Sequence, residues 1–160
     1  MTVQSGDKMP SGEFGVMTDS VPASISTVDL FAGKKVVLFS VPGAFTPTCS
    51  NQHLPGFVDR ADAILAKGVD TIACMAVNDA FVMHAWGKDR GVGSKVSMLA
   101  DGNGDYTRAL GLETDASGFG MGMRGRRFAI IVDDGIATHV AVEEPGKFDV
   151  SSAEAILAAL

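Results

Sequence analysis

The stretch Lys35-Val36-Val37-Leu38-Phe39-Ser40-Val41-Pro42-Gly43-Ala44-Phe45-Thr46-Pro47-Thr48-Cys49-Ser50 decides the fold. Its first part is an apolar run from Lys35 to Val41, which fits a strand covered on both faces better than one with a wet side. Pro42, Gly43, Thr46, Pro47 and Thr48 are turn and cap formers. From Cys49 to Lys67 the apolar residues Leu54, Phe57, Val58, Ala61, Ile64 and Leu65 recur at helical spacing, and Gly68 supplies the stop. Pro55 cannot donate to the carbonyl of Asn51, so the first turn is expected to be kinked away from the remainder. A strand feeding a loop and then a helix leaves the first helical N–H groups unpaired, and these donors with the helix dipole favour a thiolate at Cys49. The competing reading, a small buried apolar cysteine, is disfavoured by the turn and cap formers around it.

Upstream, β-prone pieces around Phe14–Met17 and Ile25–Thr27, divided by Asp19, Ser20 and Pro22, suggest a hairpin-like cover. Downstream, Thr71 to Val77 reads as a second buried strand, with Asp79 capping a helix that runs through Trp86 to about Arg90. Val96 to Leu99 reads as a third strand, Asp105 to Leu110 as a short helix ended by Gly111, and the segment holding Gly118, Gly120 and Gly122 as a loop. Phe128 to Val132 and Ile136 to Val142, joined by Asp133-Asp134-Gly135, form a hairpin. Ser151-Ser152-Ala153-Glu154 resembles a capping box opening a last helix. The expectation is an α/β chain whose mixed central sheet is flanked by helices, a thioredoxin-like fold with an N-terminal β extension, in one domain over residues 1–160.

A net charge of −6 and a pI near 4.9 work against a nucleic-acid backbone or an anionic membrane as partner. Arg124, Arg126 and Arg127 form a local exception, too compact for a groove but suited to one anion. Two cysteines are too few for a secreted disulfide framework, and Met1 to Lys8 has no basic region followed by an apolar core, so no signal peptide is expected. Apolar runs such as Ala129 to Val132 fall far short of the ~20 residues needed to span a bilayer. A reducing, cytoplasmic setting is the expectation.

The pattern Pro42-x-x-x-Thr46-x-x-Cys49, followed by Ser50 and His53-Leu54-Pro55-Gly56-Phe57, resembles the peroxiredoxins. Ala73-Cys74, Val77-Asn78-Asp79-Ala80-Phe81-Val82, Trp86-Gly87 and Arg127-Phe128 extend the resemblance almost end to end, towards the type II subfamily, which includes plant type II enzymes and the mammalian fifth peroxiredoxin. The resemblance implies that Cys49 is the peroxidatic cysteine, that Pro42 and Thr46 are its pocket partners, and that Arg127 is the active-site arginine. It implies a thiol-dependent peroxidase for hydrogen peroxide and small alkyl hydroperoxides, without metal, haem, flavin or other cofactor, acting as a homodimer.

The chemistry suits these residue types. Full ionisation of a thiol of pKa ~8.5 gains only about thirtyfold at neutral pH. Positioned donors are each worth on the order of 10²–10³ in rate, so the Thr46 hydroxyl, backbone N–H groups near Cys49 and the permanently charged Arg127 fork are expected to supply the larger share. Pro42, lacking an N–H, shields one wall. Thr46 has a plainer alternative as a turn-shaping residue. Strand alternation is expected to point Arg126 to the opposite face from Arg127, with Arg124 in the glycine loop. His53, at i+4 from Cys49, suggests a Cys–His pair, but Pro55 weakens that geometry and we read it as a helix-surface or interface histidine. Phe45, Trp86 and Phe119 are candidates for the pocket mouth.

Cys74 is read as structural, with a resolving role as the alternative, because it lies inside an apolar strand. Lys147 to Ser152 holds no thiol, which removes the C-terminal resolving cysteine that some mammalian-like members carry. The expected reductant is therefore an outside thiol, glutathione or glutaredoxin, with thioredoxin as the alternative. The alternative function is a redox-sensing or client-binding protein switched by Cys49 oxidation.

Overall fold

The computed structural model describes all residues, Met1–Leu160. The strands are β1 (Glu13–Thr18), β2 (Val21–Ser26), β3 (Lys35–Ser40), β4 (Thr71–Ala76), β5 (Ser97–Ala100), β6 (Glu113–Asp115), β7 (Met123–Gly125), β8 (Phe128–Asp133) and β9 (Ile136–Val142). The helices are α1 (Thr27–Phe31), α2 (Leu54–Asp59), α3 (Ala61–Leu65), α4 (Ala80–Asp89), α5 (Asp105–Leu110) and α6 (Ala153–Ala159). Seven strands make one sheet in the order β2-β1-β5-β4-β3-β8-β9, while β6 and β7 pair separately. The central strands β3, β4 and β5 are parallel and both flanks are antiparallel.

Both faces of the sheet are covered, and strand alternation sorts the side chains between two cores. Val37, Phe39, Val41, Ile72, Cys74 and Ile131 face one core, built with Leu54, Phe57, Ile64, Trp86 and Ile156 from α2, α3, α4 and α6. Val36, Leu38, Ala73, Met75, Ile130 and Val132 face the other, with Leu30, Phe31, Tyr106 and Leu110 from α1 and α5. Cys49 belongs to the first core. No helix is long and apolar enough to cross a membrane.

Several local expectations need correction. The N-terminal hairpin does not cover the sheet but extends its edge, β1 bridging β5 through Gly15 and Ala100. Its turn places Asp19 and Ser20 at φ 49° and 65°, matching the twist of a two-residue hairpin loop. The glycine segment is not only loop: β6 and β7 form a ribbon around a 3₁₀ turn at Ser117–Phe119, and Arg124 sits in β7. The single helix expected from Cys49 to Lys67 is three pieces. A π-helical turn, Cys49–His53, ends with Leu54 N–H donating to the Cys49 carbonyl, so the chain meets Pro55 with a widened turn. A further break at Arg60 (φ −105°, ψ 9°) separates α2 from α3. In α6 the cap is Ser152, whose hydroxyl accepts from Ala155 N–H, one residue later than the capping box places it, and Glu154 pairs with Arg60 instead.

Candidate active site

Three segments converge at the ends of β3 and β8. The loop after β3 brings Pro42 to Thr48, the π turn brings Cys49 and His53, and the residues just before β8 bring Arg126 and Arg127. The loop is pinned by Asn78, whose side-chain oxygen accepts from Ala44 N–H at 3.0 Å, and Phe45 takes the left-handed φ of 66°. Ser50 N–H donates to the Thr46 carbonyl, while the N–H of Cys49 has no acceptor within the protein. The free donor expected at the helix start is therefore present at the cysteine itself.

Arg127 is the centre of the arrangement. Its Nη2 donates to Cys49 Sγ at 3.1 Å and its Nη1 to His53 Nδ1 at 2.9 Å, with Phe148 5.9 Å from the guanidinium carbon. Because Nδ1 accepts, His53 carries its proton on Nε2, which donates to the Ser151 carbonyl at 2.9 Å. His53 is fully buried. Burial first and the Arg127 charge second push its pKa down from 6.5 to about 3, so it is neutral at physiological pH. This corrects the reading of His53 as a surface or interface histidine: it is buried and does not pair with Cys49 but shares the Arg127 guanidinium with it.

The chain of contacts continues inward. Ser151 is held by Glu143, whose Oε2 accepts from Ser151 Oγ at 2.7 Å, Ser151 N–H at 2.9 Å and Asp149 N–H at 2.6 Å. Burial alone would raise the Glu143 carboxyl, but hydrogen bonds from Ser151, Asp149 and Val150 outweigh it and hold the group below the ordinary carboxylate value. The segment Glu143–Ser152 is thus fastened by one buried carboxylate, and the carbonyl it fixes orients His53. Sequence reading missed Glu143, Ser151 and Asn78 because each acts through a partner distant in the chain.

Thr46 Oγ1 donates to the Gly43 carbonyl at 2.7 Å, so its hydroxyl proton is committed to the turn and only its lone pairs remain free. Pro42 lines the site, and its carbonyl lies 3.4 Å from Arg124 Nη1. Arg126 is not turned to the opposite side: it lines the same cavity as Arg127, since both precede the first residue of β8 and strand alternation does not yet govern them. Trp86 is core, not pocket mouth, with Nε1 donating to Ser50 Oγ at 2.9 Å. Phe119, 87% exposed, lines the cavity, and Phe45 is 52% exposed. Cys74 is fully buried in β4 between Phe39 and Met98, and burial pushes its thiol pKa well up. Both cysteines are free thiols.

The cavity holds about 510 Å³ and is lined by Pro42, Thr48, Gln52, Arg126, Arg127 and Phe148 among others. Cys49 is fully buried and does not line it; Arg127, which does, holds the sulfur at 3.1 Å. A larger open groove near β1 and α4 contains no thiol.

A buried thiol held by a guanidinium, on a sheet of thioredoxin type, defines a thiol-based redox protein. The Redoxin family matches residues 4–157. Rice Peroxiredoxin-2C is 52% identical over 159 residues, covering 99% of this chain and 98% of its own. Reduced Prx3 of Vibrio vulnificus in complex with hydrogen peroxide superposes with a TM-score of 0.95 at 51% identity, covering 99% of both chains. A Burkholderia cenocepacia protein described as a putative thioredoxin reductase superposes at 0.98 with 47% identity, covering 100% of this chain and 99% of its own. The chain belongs to the redoxin family and, within it, to the type II peroxiredoxins, which are thiol peroxidases.

Proposed function

We propose that Cys49 is the peroxidatic nucleophile and that Arg127, Thr46 and Pro42 shape its reaction. The thiolate sulfur attacks the terminal peroxide oxygen. An S–O bond forms, the O–O bond breaks, and the departing alkoxide or hydroxide takes up a proton to leave as alcohol or water. Cys49 is left as a sulfenic acid, oxidised by two electrons while the peroxide is reduced. The observation that carries this reading is the Arg127 Nη2 to Cys49 Sγ contact at 3.1 Å, which sets a permanent cation where charge spreads over sulfur and both oxygens. Thr46, with only lone pairs free, accepts from the peroxide O–H and so orients it. Pro42 closes a wall without offering a competing N–H. The unpaired Cys49 N–H is a second donor for the developing charge.

The buried position of Cys74 supports a structural role and reset of the sulfenic acid by an outside thiol. We favour glutathione or glutaredoxin, with thioredoxin as the other candidate, and a reducing setting such as the cytoplasm. A homodimer would cover Phe45 and Phe81, which are 52% and 61% exposed. The test is NADPH-coupled turnover of hydrogen peroxide with glutathione alone, glutathione plus glutaredoxin, or thioredoxin, for native, Cys49→Ser and Cys74→Ser proteins. Turnover lost only in Cys49→Ser is expected, fastest with glutaredoxin. Stoichiometric oxidation that no reductant reverses would instead make the protein a redox sensor, and loss in Cys74→Ser would make that residue resolving.

A further inference from the structure

The cavity beside Cys49 is far larger than hydrogen peroxide requires, and the arginines around it lack the carboxylate partners that the other arginines have. Of the six arginines, Arg60, Arg90 and Arg108 each reach a carboxylate. Arg124, Arg126 and Arg127 reach none, although the chain is acidic overall. Partly buried cations without a counter-ion are costly, and a site that keeps them is suited to an arriving anion. Two of the three are otherwise engaged: Arg124 with the carbonyls of Met121 and Pro42, and Arg127 with Cys49 and His53. Arg126 donates through Nη2 to the Glu143 carbonyl at 2.9 Å, which leaves Nε and Nη1 without a protein partner.

The acidic side chains around the cavity do not neutralise Arg126. The Glu143 carboxylate is turned to Ser151 and Asp149, Asp115 Oδ1 accepts from Ser117 N–H, and Glu144 lies exposed. Lys147 adds a further cation to the lining, and Phe119, Met121 and Phe148 supply apolar wall. A planar guanidinium with Nε and Nη1 free, in a space of about 510 Å³ with aromatic wall, matches an amphiphile with a carboxylate.

We propose that Arg126 makes this cavity selective for organic hydroperoxides that carry a carboxylate. The guanidinium holds the carboxylate, the apolar wall takes the hydrocarbon body, and the hydroperoxide group extends to Cys49. The inference rests on the peroxidase reading, and the chemistry is the same: S–O bond formation, O–O cleavage, and release of the hydroxy acid after the alkoxide gains a proton. The probe is para-carboxycumene hydroperoxide, compared with its methyl ester, with dithiothreitol as reductant. The quantity measured is kcat/KM for the hydroperoxide.

In the native protein the acid is expected to exceed the ester by about tenfold at low ionic strength, the size of a charge-assisted contact open to solvent, with the ratio shrinking as salt is added. In Arg126→Gln the ratio falls to about one, and Arg126→Lys keeps part of it. Taking the ratio within each protein cancels any general loss from disturbing the Glu143 segment. A native ratio near one, or a ratio untouched by Arg126→Gln, overturns the inference. If hydrogen peroxide is still consumed in that case, the peroxidase reading stands alone; if the native protein consumes no peroxide, both fall.

Discussion

Acidification from pH 7.5 to 5.0 destabilises this protein through His53. The ring is buried, its Nδ1 lone pair is taken by Arg127 and its Nε2 proton by the Ser151 carbonyl. A second proton would break the Arg127 bond and set a cation on a ring that solvent does not reach, beside the guanidinium, which is why burial and Arg127 hold the pKa at about 3. The unfolded chain takes up that proton near the unperturbed pKa of ~6.5. The folded pKa is the lower one, so the contribution of His53 to stability is fully present above about 6.5 and is lost as the pH falls towards about 3. The slope approaches one proton, ~1.4 kcal/mol per pH unit, so the step from 7.5 to 5.0 removes about 2 kcal/mol. With an m-value of roughly 2 kcal/mol/M, the urea midpoint falls by about 1 M. Glu143, also depressed, contributes stability that is lost mainly below its ordinary value of 4.5, outside this window. Urea titrations followed by the fluorescence of Trp86, the single tryptophan, would compare the native protein with His53→Gln. The variant begins less stable but changes less with pH, and it shares His84 and His139 with the native protein. Equal pH dependence in the two proteins would refute a buried neutral His53.

Other consequences follow from single contacts. Glu143→Gln replaces a carboxylate that accepts three hydrogen bonds, so it should cost about 2–3 kcal/mol and strip hydrogen-exchange protection from the Asp149 and Ser151 amides; unchanged protection would remove Glu143 as the fastener. Cys74→Ala should keep peroxide turnover and lose roughly 1–2 kcal/mol in thermal unfolding, through the space left in β4. In Gly43→Ala the new Cβ would lie 3.1 Å from Arg124 Nη1 and 3.2 Å from Thr46 Cγ2, and displacement of Thr46 should slow Cys49 oxidation about tenfold in single-turnover kinetics.

The central strands were legible because both faces of β3 and β4 are buried, which writes continuous apolar runs into Val36–Phe39 and Ile72–Ala76. Asp79 at α4 and the Asp134-Gly135 turn were legible because their chemistry is local: a side chain accepting from Val82 N–H, and backbone angles of φ 47° and 82°. The π turn was not, since helical periodicity does not reveal one residue wound into a wider turn. Cys49 and Arg127 carried a motif and a charge, and they lie together. His53 was misread because its partners, Arg127 and Ser151, lie 74 and 98 residues away and no spacing within its own helix reports them. Arg126 was assigned to the wrong side by extending strand alternation back two residues ahead of Phe128, where β8 begins.

Peroxide reduction by this protein requires Arg127 and Cys49 to act together on the O–O bond. Rapid mixing with hydrogen peroxide in the presence of dimedone, followed by mass spectrometry of the trapped sulfenic acid, measures the site and the rate of oxidation in native and Arg127→Gln proteins. The expected result is an adduct on Cys49 alone, forming about 10²–10³ times more slowly in the variant. An adduct on Cys74, or an equal rate without the guanidinium, would contradict it.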